Sequence, residues 1–303
     1  MKFAKRIALF VLLNFLVIAM ISFVLNLFNI RPYLNAYGID LKSLAIFCAI
    51  WGMGGALISL LLSRVMAKWM MGVRVIDPHR PHGSEKHLLD TVHELARAAN
   101  LTHMPEVGIF QSPEVNAFAT GPSESRALVA VSSGLLNRMA EQDVRAVLAH
   151  EISHIVNGDM VTMTLLQGVI NAFVMFLARI FAYAISGLGR SRNTNNSTGS
   201  YGTFIALTYL FEITFMILGS LVTCAYSRAR EYRADAGGAR LAGQYNMISA
   251  LESLRALQQI RDPKTESPAM AAFKISHPAK RGLLHLFATH PTLDDRIERL
   301  KQS

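Results

Sequence analysis

Between Ile7 and Ile30 the chain carries no formal charge, and none again between Ser43 and Ser63. Runs of that length cross a hydrocarbon core of about 30 Å as helices, so they restrict the chain to membrane architectures. Lys2, Lys5 and Arg6 precede the first run, as they would a signal peptide. That reading fails: the apolar run is too long, no small-residue cleavage site follows, and a second span comes close behind. Gly55, Ser59 and Ser63 recur every four residues, a spacing that lets another helix approach closely. Residues 1–63 are therefore expected to form a transmembrane hairpin with spans 7–30 and 43–63. The composition agrees, with 51% hydrophobic and 17% charged residues.

Two later stretches, about 160–178 and 203–226, predict a second hairpin over residues 160–226. A polar segment, Gly189 to Ser200, separates them. Arg179 flanks the first stretch and Glu212 interrupts the second, so full spanning and partial insertion both stand as readings. A glutamate in an apolar helix is either paired, here with Arg179 as one partner, or faces a cavity. Lys2, Lys5, Arg6, Arg64, Lys68, Arg74, Arg80, Arg228, Arg230 and Arg233 gather on one side, whereas Arg31–Lys42 is nearly neutral. Arg190 and Arg192 run against this bias. The majority places both termini in the cytoplasm and accounts for the net charge of +9 without nucleic acid, for which no basic stripe with interleaved aromatics exists. Cys48 and Cys224 fall within the spans and lack ligand-like spacing, so packing is expected of them and no disulfide.

The chemistry is carried by His150-Glu151-Ile152-Ser153-His154. Residues four apart share a helix face, so both imidazoles can grip one metal ion. Glu151 then sits beside the metal, where it can take a proton from a bound water. A catalytic zinc usually has three protein ligands. The extended pattern with a third histidine is excluded, because Asn157 and Met160 occupy its glycine and histidine slots. Glu231 supplies a ligand from a later helix, and Asp235, one turn on, can accept a hydrogen bond from the far nitrogen of His150. Two spans intervene between His154 and Glu231, which returns Glu231 to the side of the motif.

Residues 64–159 and 227–303 remain for a cytoplasmic domain. Ser84 is expected to cap a helix with Leu88, Leu89, Val92, Leu95, Ala96 and Ala99 on one face. Strands are expected at Pro105–Phe110, Asn116–Ala119 and Ala127–Val131. The motif helix should start near Glu141 and break at Asn157-Gly158, and another helical segment should begin near Arg228. Thr292 and Asp295 fit a capping box.

These features together resemble the HtpX family of bacterial heat-shock membrane metalloproteases, relatives of the prenyl-protein processing proteases. The resemblance runs through Asn116-Ala117-Phe118-Ala119-Thr120-Gly121, the H-E-x-x-H helix with Asn157-Gly158-Asp159, Ser227 to Asp235, and His290-Pro291. It implies an integral membrane, mainly α protein with about four transmembrane helices and a cytoplasmic α+β gluzincin-like zinc protease domain. It implies one zinc ion per chain, a place in the bacterial inner membrane, and cleavage of damaged or misassembled membrane proteins. Asn116 falls where the family has an edge strand able to pair with an extended substrate. His290 and Arg296 are candidates for steadying the oxyanion or the site carboxylates, against the plainer readings of a histidine before a helix and a surface arginine. Gln258–Ala288 aligns to no role, and the sequence sets no oligomeric state. Two rivals stand beside a cytoplasmic protease. One is an intramembrane zinc protease, opposed by Glu141, Asp143 and Arg145 just before His150. The other is a zinc-stabilised scaffold without turnover, which would have no use for Glu151.

Overall fold

The computed structural model describes residues 34–35, 38–81, 83–188, 197–259 and 282–303. The expected span 7–30, residues 189–196 of the polar segment, and most of Gln258–Ala288 lie outside them. The chain divides into two compact units, Met1–Ser59 with Thr164–Thr223, and Leu60–Met163 with Cys224–Ser303. Three described helices are long and apolar enough to cross a membrane: Leu41–Met71, Asp159–Ser186 and Gly202–Ala242.

In the first unit, β1 (Leu34–Asn35) pairs antiparallel with β2 (Gly38–Ile39) ahead of α1 (Leu41–Met71). The unit also holds most of α5 (Asp159–Leu188) and much of α6 (Ser197–Ala242). Arg179 donates to Glu212 at 2.6 Å and lies 5.6 Å from the Phe47 ring centroid, so the two charges in this apolar bundle are paired. The partner expected against Gly55, Ser59 and Ser63, span 7–30, lies outside the described residues; among these a close helix approach occurs at Gly52. A Cβ there would lie 2.4 Å from the Ala172 nitrogen, whereas at Gly55 it meets nothing within 4 Å among the described residues.

The second unit is built on a four-stranded sheet of order β3-β4-β6-β5. Its strands are β3 (Arg74–Val75), β4 (Glu106–Phe110), β5 (Ala117–Thr120) and β6 (Leu128–Ser132). β4 and β6 run parallel, and β5 lies antiparallel on the outside of β6 with Ala119 opposite Val129. Alternation along β6 serves two apolar layers. Val129 and Val131 join the main core, and Leu128 and Ala130 pack with Ala67, Val73, Phe110 and Phe118 on the other face. The main core is closed by α2 (Ser84–Ala98), α4 (Glu141–Val156), α7 (Gln244–Gln259) and α8 (Leu293–Lys301), with the short α3 (Ser133–Arg138) following β6.

Local chemistry explains where the expectations held and where they shifted. Leu88, Leu89, Val92, Leu95 and Ala96 are the buried face of α2, as their spacing predicts. Ser84 is not its cap. It is the first helical residue, behind a Gly83 cap at φ 48° that has no side chain to offer. α4 starts at Glu141 and stops at Asn157, where Gly158 takes φ 63° and donates to the Ile155 carbonyl. No new helix begins near Arg228. Ser220 to Ala236 contains no Gly or Pro, so α6 continues unbroken from the apolar stretch through Glu231 and ends before Gly243, at φ 94°. Thr292 caps α8 by accepting from the Asp295 amide at 3.1 Å.

Candidate active site

Two helices from distant parts of the sequence bring the site together. α4 presents His150, Glu151 and His154, all buried, and α6 presents Glu231, Arg233 and Asp235. The crossing depends on Gly237 and Gly238. A Cβ at Gly237 would lie 2.5 Å from Ser153 Oγ, and one at Gly238 3.2 Å from the His150 nitrogen. Asp143, in the first turn of α4, accepts from Ser249 at 2.7 Å and Ser253 at 2.6 Å, tying α7 to the start of the motif helix.

His150 Nδ1 lies 2.9 Å from Asp235 Oδ1, and His154 Nδ1 lies 2.6 Å from Asp159 Oδ2. An ionised carboxylate only accepts, so each Nδ1 carries a proton, which leaves Nε2 as the atom of each ring able to bind a metal ion. Those two Nε2 atoms face each other at 3.2 Å. Glu231 completes the triangle, with Oε2 3.5 Å from His150 Nε2 and Oε1 3.4 Å from His154 Nε2. Without a metal ion, a proton on one Nε2 joins the pair as a hydrogen bond, and a metal ion would take that proton's place. With Zn–N bonds of about 2.0–2.1 Å, a tetrahedral ion sets its ligand atoms roughly 3.3 Å apart, so the donor set fits a zinc ion. Among the described residues, these three side chains form a group whose ligand atoms all lie within 4.8 Å of one another.

The electrostatics match a cation-holding site. Burial pulls the His154 imidazole down, but its bonds to Asp159 and Glu231 outweigh this and hold it up at about 9. Burial also opposes the charged form of His150, and Asp235 and Glu231 again raise it. A bound metal ion would take the place of these protons. Arg296, 1% exposed, donates to both Asp235 oxygens at 2.6 and 2.8 Å and stands 3.9 Å from Glu231. It is thus an interior group beside the site carboxylates and not a surface arginine. His290 Nδ1 lies 3.0 Å from Glu231 Oε2.

Glu151 points to the sheet. One of its oxygens accepts from the Ala119 amide of β5 at 2.8 Å. Asn116, just before that strand, is 1% exposed, and neither Nδ2 nor Oδ1 of its side chain has a hydrogen-bond partner among the described residues. Its backbone is held there by Ser132, whose hydroxyl accepts from the Asn116 backbone N–H at 3.0 Å and donates to the Glu114 carbonyl at 2.6 Å. Sequence reasoning missed the contact of Asp159 with His154, although Asn157-Gly158-Asp159 stood in the motif run. The adjacent glycines after Asp235 were the overlooked mark of a close helix crossing.

Comparison with known proteins accords with this arrangement. The chain is 51% identical to a Protease HtpX homolog of Bacillus licheniformis, over 98% of this chain and 99% of the relative. It is 50% identical to a Protease HtpX homolog of Bacillus subtilis at the same coverage, and 48% identical to Protease HtpX of Chromohalobacter salexigens over 98% of each. The crystal structure of S. mikatae Ste24p shares the fold at a TM-score of 0.64 and 15% identity, covering 98% of this chain. This chain spans 65% of the length of that protein. The description of Peptidase family M48 matches residues 83–303, so this chain belongs to that family and, within it, to the HtpX proteases.

Proposed function

We propose that the chain is a membrane-bound zinc endopeptidase that cleaves damaged or misassembled membrane proteins. In this reading four spans form two hairpins, over residues 1–63 and 160–226, in the bacterial inner membrane. Residues 64–159 and 227–303 form an α+β gluzincin-like domain on the cytoplasmic side. The observation that carries the chemistry is the convergence of His150 Nε2, His154 Nε2 and the Glu231 carboxylate beside Glu151. These three side chains would hold one zinc ion, which when bound polarises the scissile carbonyl and acidifies water.

The remaining work falls to the chain's own groups. An extended substrate adds to the outer edge of β5, the strand whose Ala119 amide already reaches Glu151. The buried Asn116 amide offers that substrate one donor and one acceptor. Glu151 takes the proton of the attacking water and returns it to the leaving amine. Asp235, held by Arg296, fixes the His150 tautomer. His290 steadies the Glu231 carboxylate or the developing oxyanion. A scaffold without turnover is disfavoured, because it leaves a buried carboxylate poised on an edge strand without use.

Purified full-length protein in detergent should degrade casein, and a chelator should abolish the activity. Glu151→Ala should lose about 100-fold or more in rate, the scale of a positioned general base, and still hold one zinc per chain. Loss of zinc from that variant would put Glu151 among the ligands, and chelator-resistant cleavage would remove metal from the reaction.

A further inference from the structure

We infer that Asp159 is the positioning residue for His154, so that the first residue of the apolar helix α5 is part of the metal site. The inference rests on the reading of His154 as a metal ligand. Asp159 is 1% exposed, and its Oδ2 lies 2.6 Å from His154 Nδ1. It reaches that place because α4 stops at Asn157 and Gly158 turns the chain at φ 63°, so α5 starts beside the last turn of the helix it follows. An anionic Asp159 can only accept, so it fixes the proton on Nδ1 and turns Nε2 towards His150 Nε2 and Glu231.

The two histidines are thus held in parallel ways but with unequal stiffness. His150 is gripped by Asp235, which the buried Arg296 clamps through two short bonds. His154 is gripped by Asp159, whose other oxygen has Arg233 at 3.5 Å, and Arg233 is half exposed. What holds Asp159 in place is chiefly the Asn157-Gly158 turn and the helix it opens. His154 therefore takes its orientation from the start of α5.

The test compares Asp159→Asn, Asp159→Ala and His154→Gln in the full-length protein, with zinc affinity measured against a competing chelator and with cobalt-substituted absorption spectra. Asn keeps the shape of Asp and can still accept weakly, so it is the variant least able to disturb the fold. Expected are a zinc Kd raised about 10–100-fold in Asp159→Asn, a larger rise in Asp159→Ala, and an altered cobalt spectrum in both. The metal-free Asp159→Asn protein should melt close to the wild type. If Asp159→Asn lowers that melting temperature but binds zinc as the wild type does, Asp159 serves only the helix start and the inference falls. His154→Gln separates the two levels. Should it keep wild-type zinc affinity, the ligand assignment fails first; should it lose zinc while Asp159→Asn does not, only the positioning role fails.

Discussion

Glu231 offers one oxygen to each histidine, whereas Asp235 touches the far side of His150 and is shared with Arg296. The two carboxylates should therefore fail differently. Glu231→Gln keeps the shape and removes the anionic ligand, so zinc binding should weaken strongly and activity collapse. Asp235→Asn can still accept from Nδ1, and a loss of about 10–100-fold in zinc affinity is expected. It also leaves Arg296 inside the protein without its bidentate partner, and breaking a buried pair from one side costs about 3–5 kcal/mol. Asp235→Asn should thus melt lower than Glu231→Gln while holding zinc better, as metal analysis and melting of the metal-free forms will show. If Asp235→Asn strips the metal and Glu231→Gln retains both metal and activity, Glu231 is not a ligand. The difference in legibility has the same origin. H-E-x-x-H and E-x-x-x-D are spacings on single helices, readable from the 3.6-residue turn. The Arg296–Asp235 clamp joins residues 61 apart on different helices, and no local pattern announces it.

At the scale of elements, α4 and α6 must cross closely enough for ligands on both to meet, and Gly237 sits at that contact. Gly237→Val would place a branched side chain where even a Cβ comes within 2.5 Å of Ser153 Oγ and 2.8 Å of its Cβ. Replacing glycine within a helix gains somewhat under 1 kcal/mol of propensity, but overpacking costs about 1–3 kcal/mol and spreads the helices. The variant should lose zinc affinity and melt at a lower temperature, in metal titration and thermal unfolding in detergent. Wild-type zinc affinity in Gly237→Val would show that the crossing tolerates displacement. Apolar periodicity found α2, short apolar runs bounded by Ser, Pro and Gly found β4, β5 and β6, and the H-E-x-x-H run behind Glu141 and Asp143 found α4. Sequence reasoning missed β3, two residues long and held by pairing with β4. It also placed a helix start near Arg228, where charge replaces apolar residues inside one continuous helix. The switch from apolar to charged side chains along α6 leaves its backbone uninterrupted.

For the whole molecule, the lysine and arginine distribution predicts a sidedness that reporter fusions test. The three described apolar helices are candidate spans by length and composition. Among the described residues, only 6% of the apolar window of the third is buried, so its apolar side chains need lipid or another partner. The paired Arg179 and Glu212 lower the cost of carrying charge in such a bundle. Arg179 also donates to the Met175 carbonyl at 2.9 Å and faces the Phe47 ring. Spanning by the second hairpin is therefore compatible with its two charged residues. With the N-terminal cluster, the Arg64–Arg80 cluster and the Arg228–Arg233 cluster inside, reporter fusions after residue 80 and after residue 240 should read cytoplasm. A fusion near Asn195 should read the opposite face, despite Arg190 and Arg192. If the Asn195 fusion reads cytoplasm while the other two do as well, α5 and α6 do not cross. The second hairpin then lies along the membrane surface, and Glu231 returns to the motif without two crossings.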